Sequence, residues 1–181
     1  MIDRNTIDVV VREHAEIGRQ SYAVFSPEPK PLYRYALQRR WGADESNLLG
    51  LCGMNPSTAD ERLNDPTLER WERRARRGGF DGFVVVNAWA LRSTDPKGLL
   101  RVSDPVGPHN DGFILEVAKG FRVFVCGWGV PPHKSLYPRV HRLREELVAA
   151  GVKLHVLGLT KEGFPRHPLY VGYDRQWKEW T

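Results

Sequence analysis

Four stretches of this chain are apolar enough to be buried strands, and the segments between them repeat at helical spacing. Leu48, Leu49, Leu51 and Cys52 form the first stretch, which stops abruptly in Gly53-Met54-Asn55-Pro56-Ser57. Phe83–Asn87, FVVVN, is almost continuously apolar, as a strand covered on both faces of a parallel sheet must be. Arg122–Cys126 and Leu154–Leu159 repeat that character. Between the first two, Asp65-Pro66 supplies an N-cap and a first helical residue. Leu68, Trp71 and Ala75 line one helical face, and Gly78-Gly79 stops it. STDPKGLL reads as a turn and short helix; Phe113, Ile114, Val117 and Ala118 then line a second helical face over Phe113–Lys119. Leu136, Val140, Leu143, Leu147 and Ala150 line a third, with Ser135 as its expected cap and Gly151 as its end.

The ends of the chain read differently. Ile7–Val11 is a short apolar-polar run, and Ser21–Phe25 is a better strand. Pro27, Pro29 and Pro31 interrupt the chain before Leu32–Trp41, where Tyr33, Tyr35 and Leu37 share one face if the segment is extended. An antiparallel hairpin of 21–25 with 32–41 follows. Tyr173–Trp180 is expected to pack back as a tail. The order from residue 48 is strand, helix, strand, short helices, strand, helix, strand. With right-handed crossovers it predicts an α/β three-layer sandwich around a central four-stranded parallel sheet, plus an N-terminal hairpin. One domain is expected over 1–181: an extension 1–47, a core 48–170 and a tail 171–181.

Composition narrows the class. At 181 residues, with 41% hydrophobic positions and six Trp, the chain can bury a sizeable core, which excludes a disordered protein. Two Cys in apolar runs imply core packing in a reducing, cytoplasmic setting, not a disulfide framework. No apolar stretch is long enough to span a membrane, so no membrane partner is expected. The net charge is +5, and Arg supplies 20 of the 27 basic residues. Guanidinium suits bidentate contact with phosphate, which makes a nucleic acid or nucleotide a plausible partner. Arg70, Arg74 and Arg77 form one row on the first helix, although Glu69 with Arg73 and Glu72 with Arg76 make ordinary i,i+4 pairs.

In an open α/β sheet, ligands bind beyond the carboxyl ends of the strands. Four polar segments fall there: GMNPS, NAWAL, CGWG and GFPRHPL. Two Asn and one His at three strand exits make a ligand site. Asp60, Asp65, Asp95, Asp104 and Asp111 sit in turns as caps, with Asp60 and Asp65 in reserve should a general base be needed. No Cys/His/carboxylate set has zinc-like spacing, so neither a metal nor an organic cofactor is expected.

LLGLCGMNPSTAD, NDPTLERW, VVVNAWALRSTDP and GFPRHPLY together resemble the uncharacterised DUF1643 family over most of the chain. Residues 48–170 resemble, more distantly, the uracil-DNA glycosylase superfamily and its fold. That likeness implies N-glycosidase chemistry. Asn55 would orient a water at the glycosidic carbon, and His167 would stabilise charge on the departing base. Asn87 would read the base edge beside Met54, Ser57, Trp89 and Trp128, with Arg70, Arg74, Arg77 and Arg166 as phosphate contacts. Two departures stand against it: no Asp-Pro-Tyr-His follows the first strand, and the last motif reads His-Pro-Leu, not His-Pro-Ser-Pro-Leu. The expected function is therefore hydrolysis of a nucleobase–sugar bond in modified DNA or a nucleotide. Its rivals are a non-catalytic nucleotide or nucleic-acid binder, and a hydrolase or transferase acting on a modified nucleotide.

Overall fold

The computed structural model describes residues 7–27 and 29–181; residues 1–6 and 28 of the expected N-terminal extension lie outside the described residues. The strands are β1 (Val10–Glu16), β2 (Arg19–Phe25), β3 (Arg34–Arg40), β4 (Leu48–Gly53), β5 (Gly82–Asn87), β6 (Phe124–Cys126), β7 (Leu154–Val156) and β8 (Lys178–Glu179). The helices are α1 (Pro66–Arg77), α2 (Asn110–Gly120) and α3 (Tyr137–Ala149). All eight strands join one mixed sheet, in the order β1-β2-β3-β5-β4-β6-β7-β8. The four strands of the apolar stretches, β5-β4-β6-β7, run parallel inside it. Antiparallel strands extend both sides, so the sheet is larger than the central one expected from the sequence. The hairpin of β2 and β3 is no appendage, because β3 pairs directly with β5. β1 had no clear signal in its sequence, VVREHAE, because an edge strand wetted on one face needs little apolar character.

Helices cover both faces. Leu68, Trp71 and Ala75 of α1 pack with Phe83, Val85, Leu49 and Leu51 on one side. Phe113, Ile114 and Val117 of α2 and Val140, Leu143 and Leu147 of α3 pack on the other, with Val84, Val86 and Phe124. α1 begins as its sequence demands: Asp65 Oδ1 accepts from Thr67 N and Leu68 N at 3.0 and 2.9 Å. α3 does not. Its expected cap Ser135 lies inside a 3₁₀ turn, Lys134–Leu136, and His133 Nδ1 accepts from Ser135 N instead.

A second correction lies in β3. Phe25 faces Arg34 and Val24 faces Ala36, so Tyr35 is the extra residue of a bulge. The bulge resets the alternation. Tyr35 therefore stacks on Phe113 on the α2 side, and Leu37 joins the α1 side, where one shared face had been expected. Arg34 and Arg39, both almost fully buried, donate into the chain that follows β4. Arg34 Nη1 donates to Ala59 O, and Arg39 donates to Asn64 Oδ1, Asp60 O and Leu63 O. These bonds hold the loop 59–64 against the sheet and set where α1 starts. Burial lowers the pKa of each to about 10, still cationic at neutral pH.

Candidate functional site

The chain leaving β4, β6 and β7 opens a cleft of about 610 Å³ at the carboxyl ends of these strands. Met54, Asn55 and Ser57 come from the first exit, Trp128 and Gly129 from the second, and Arg166 and His167 from the third. Asp65, Pro66 and Thr67 at the start of α1 close one side, and Ser93 and Thr94 another. Six of the expected site residues thus share one cleft, Met54, Asn55, Ser57, Trp128, Arg166 and His167, together with the reserve carboxylate Asp65.

Asn55 is fixed by its amide nitrogen, which donates to Ser93 O at 2.8 Å and to Pro56 O at 3.0 Å. Its Oδ1 makes no hydrogen bond among the described residues and remains an acceptor for a ligand or water. His167 is fixed by Nδ1, which accepts from Leu169 N at 3.4 Å. The tautomer that satisfies this contact carries its proton on Nε2. Burial holds the imidazole pKa below its ordinary value, and the charge of Asp65 only partly offsets that. His167 is thus a neutral donor. Gly129, with φ +73°, lets the second exit pass close: a Cβ there would stand 3.2 Å from His167 Cβ.

Asn87 and Trp89 do not belong to the cleft. After β5 the chain continues alongside the first exit, with Ala88 N donating to Gly53 O, Trp89 N to Met54 O and Ser93 N to Pro56 O. That lacing turns Asn87 inward, where Oδ1 accepts from Arg34 Nη2 at 3.3 Å, and leaves Trp89 in the core. Ser93 and Thr94 reach the cleft in their place. Trp128 borders it but is fully buried, its ring 5.8 Å from that of Trp180, so it does not offer a free stacking face. Tyr170 does. It is 82% exposed at the cleft mouth, its ring 5.8 Å from His167.

The arginine row on α1 is also redirected. Arg74 is buried and donates to Val171 O, Gly172 O and Arg175 O. Arg70 donates to Leu169 O and Val171 O, and Arg77 lies over the Tyr173 ring at 4.6 Å. The row clamps the C-terminal segment and is not an open phosphate track. Only Arg166 of the four expected phosphate contacts borders the cleft. Among the acidic residues held in reserve, Asp65 lines it and Asp60 does not; Asp60 Oδ1 accepts from Arg62 N and Leu63 N. Asp95 caps the short turn Pro96–Leu100, Asp104 accepts from Val106 N and Gly107 N, and Asp111 pairs with Arg139.

An amide oxygen, a carboxylate and a neutral imidazole thus border one cleft at the strand ends of an α/β fold. Among the described residues no group of three His, Cys, Asp or Glu is arranged to hold a metal. Nor is any helix among them long and apolar enough to cross a membrane. The chain belongs to the DUF1643 family, whose description reads protein of unknown function; the family model matches residues 34–169. No curated protein and no solved structure matches it.

Proposed function

We propose that the cleft binds a nucleobase-bearing ligand and hydrolyses its base–sugar bond with water alone. One observation carries this reading: Asn55 and Asp65, from the two ends of the β4–α1 connection, border the same cleft as His167 from the β7 exit, with the imidazole pKa held down by burial. The resemblance to uracil-DNA glycosylases supports the same assignment for Asn55 and His167. It had left the base unassigned, and Asp65 fills that gap.

In this mechanism Asn55 Oδ1 and the Asp65 carboxylate hold a water at the anomeric carbon. The water oxygen bonds to that carbon as the carbon–nitrogen bond breaks, and the electron pair leaves with the base. His167 Nε2–H donates to the developing negative charge, the contribution expected of a preorganised donor. Asp65 takes the proton released by the water, as a positioned general base. Tyr170 stacks on the base at the mouth, while Ser57, Ser93 and Thr94 supply hydroxyls for its edge. The uracil-DNA glycosylase fold and a DNA substrate belong to this proposal as its wider form.

Screening deaminated and modified nucleosides, nucleotides and oligonucleotides by mass spectrometry tests it. Free base should appear with the wild type and fall at least roughly 100-fold with H167A. A folded protein that releases no base from any of them overturns the reading. One observation favours a second reading, binding without turnover: both Asp65 Oδ1 and Asn55 Nδ2 already serve backbone partners. Under that reading N55A and H167A weaken binding, and no product forms.

A further inference from the structure

A second cavity, of about 340 Å³, adjoins the cleft and shares two of its residues, Arg166 and Tyr170. Arg175 and Lys178 line its far side, with Gln176 between them and Asp174 as its one carboxylate. Arg166 is held by its own backbone and side chain: Arg166 N donates to Gly158 O and Nε to Leu159 O, both within 3.0 Å. That leaves its two terminal nitrogens for another partner. Among the described residues, Arg166, Arg175 and Lys178 make no ion pair. Arg19, Arg40, Arg62, Arg76, Arg101 and Arg139, by contrast, each have a carboxylate within 4 Å. Three cations against the single carboxylate of Asp174 leave the concavity lining with a net positive charge, which favours an anion there. The segment bearing Arg175 is also deliberately held, since Arg74 of α1 donates to the Arg175 carbonyl at 2.9 Å.

From this juxtaposition we propose that the second cavity is a phosphate subsite, and that the ligand of the main cleft is a free mononucleotide. This rests on the nucleobase reading of the cleft and gives its substrate class. Arg166 stands between base and phosphate, with Arg175 and Lys178 taking the outer oxygens. A compact set of three cations suits a terminal phosphate monoester. A nucleic-acid backbone needs charges spaced along a track. The row that would make such a track, Arg70, Arg74 and Arg77, is bound to the tail.

The test is calorimetric binding of inorganic phosphate, of the four nucleoside monophosphates with their parent nucleosides, and of a ten-nucleotide single strand. The wild type should bind inorganic phosphate, and should bind one monophosphate at least roughly tenfold tighter than its nucleoside, the effect of one or two charge-assisted hydrogen bonds. R175Q/K178Q should lose both. R142Q/K153Q, which removes the same charge from exposed positions elsewhere, should keep both. Equal phosphate affinity in wild type and R175Q/K178Q, or none in either, overturns the proposal. So does a single strand that binds tighter than every monophosphate. Phosphate binding lost in R175Q/K178Q, with no preference for any base, keeps the subsite and fails the nucleobase reading instead.

Discussion

His167 shows how a backbone contact sets a side chain's chemistry. The Leu169 N–H occupies Nδ1, so the exchangeable proton sits on Nε2, and burial keeps the ring neutral. The pH consequence has a definite sign. The folded pKa lies below 6.5, so between the two values the unfolded chain binds more protons, and stability falls as pH drops through that window. Urea denaturation between pH 7 and pH 5 should show this loss in the wild type and a smaller one in H167Q. An identical pH profile for the two would contradict a buried neutral imidazole. The same residue also shows what sequence could and could not convey. Asn55 and His167 were legible because each follows an apolar strand. Asn87 has the same signature and yet points away, since nothing local encodes the lacing of 88–93 onto 53–56. Asp65 was legible as a helix cap and as one of two carboxylates in reserve; that it, and not Asp60, lines the cleft depends on the fold.

At the scale of elements, α1 was read correctly in its bounds, cap and inner face, because local spacing decides all three. Its arginine row was misassigned for the opposite reason: the partners lie about a hundred residues away. R74M should cost roughly 1–3 kcal/mol, because Arg175 O loses its donor while Val171 O and Gly172 O keep only those of Arg70 and of Arg175 N. Chemical denaturation measures this, and a change under about 0.5 kcal/mol would mean the clamp is only a surface contact. β5 offers a second test. Gly82 faces β3 so closely that a Cβ would stand 2.4 Å from Arg39 O, a backbone atom that cannot turn aside. G82A should therefore destabilise by roughly 1–3 kcal/mol or more through strand separation. An unchanged denaturation midpoint would contradict the tight β3–β5 pairing. The bulge at Tyr35 escaped the sequence reading because one inserted residue reverses every later alternation without changing composition.

For the whole molecule, the four apolar stretches identified the parallel strands, while the antiparallel additions at both sides came from segments of mixed polarity. Those additions tie the termini to the site. β3 carries Arg34 and Arg39, which hold the loop leading into Asp65. The tail, held by α1 and by β8 against β7, carries Arg175 and Lys178 to the cavity beside the cleft. In the proposed reaction Asp65, Asn55 and His167 act together on one bond, and D65N separates that role of Asp65 from its capping of α1. Asn caps a helix about as well as Asp, so α1 should keep its stability while the carboxylate is lost. Single-turnover base release, followed by quenched-flow mass spectrometry, should slow at least roughly 100-fold in D65N. Its melting temperature should stay within about 2 °C of the wild type. Release at the wild-type rate in a folded D65N would contradict the account.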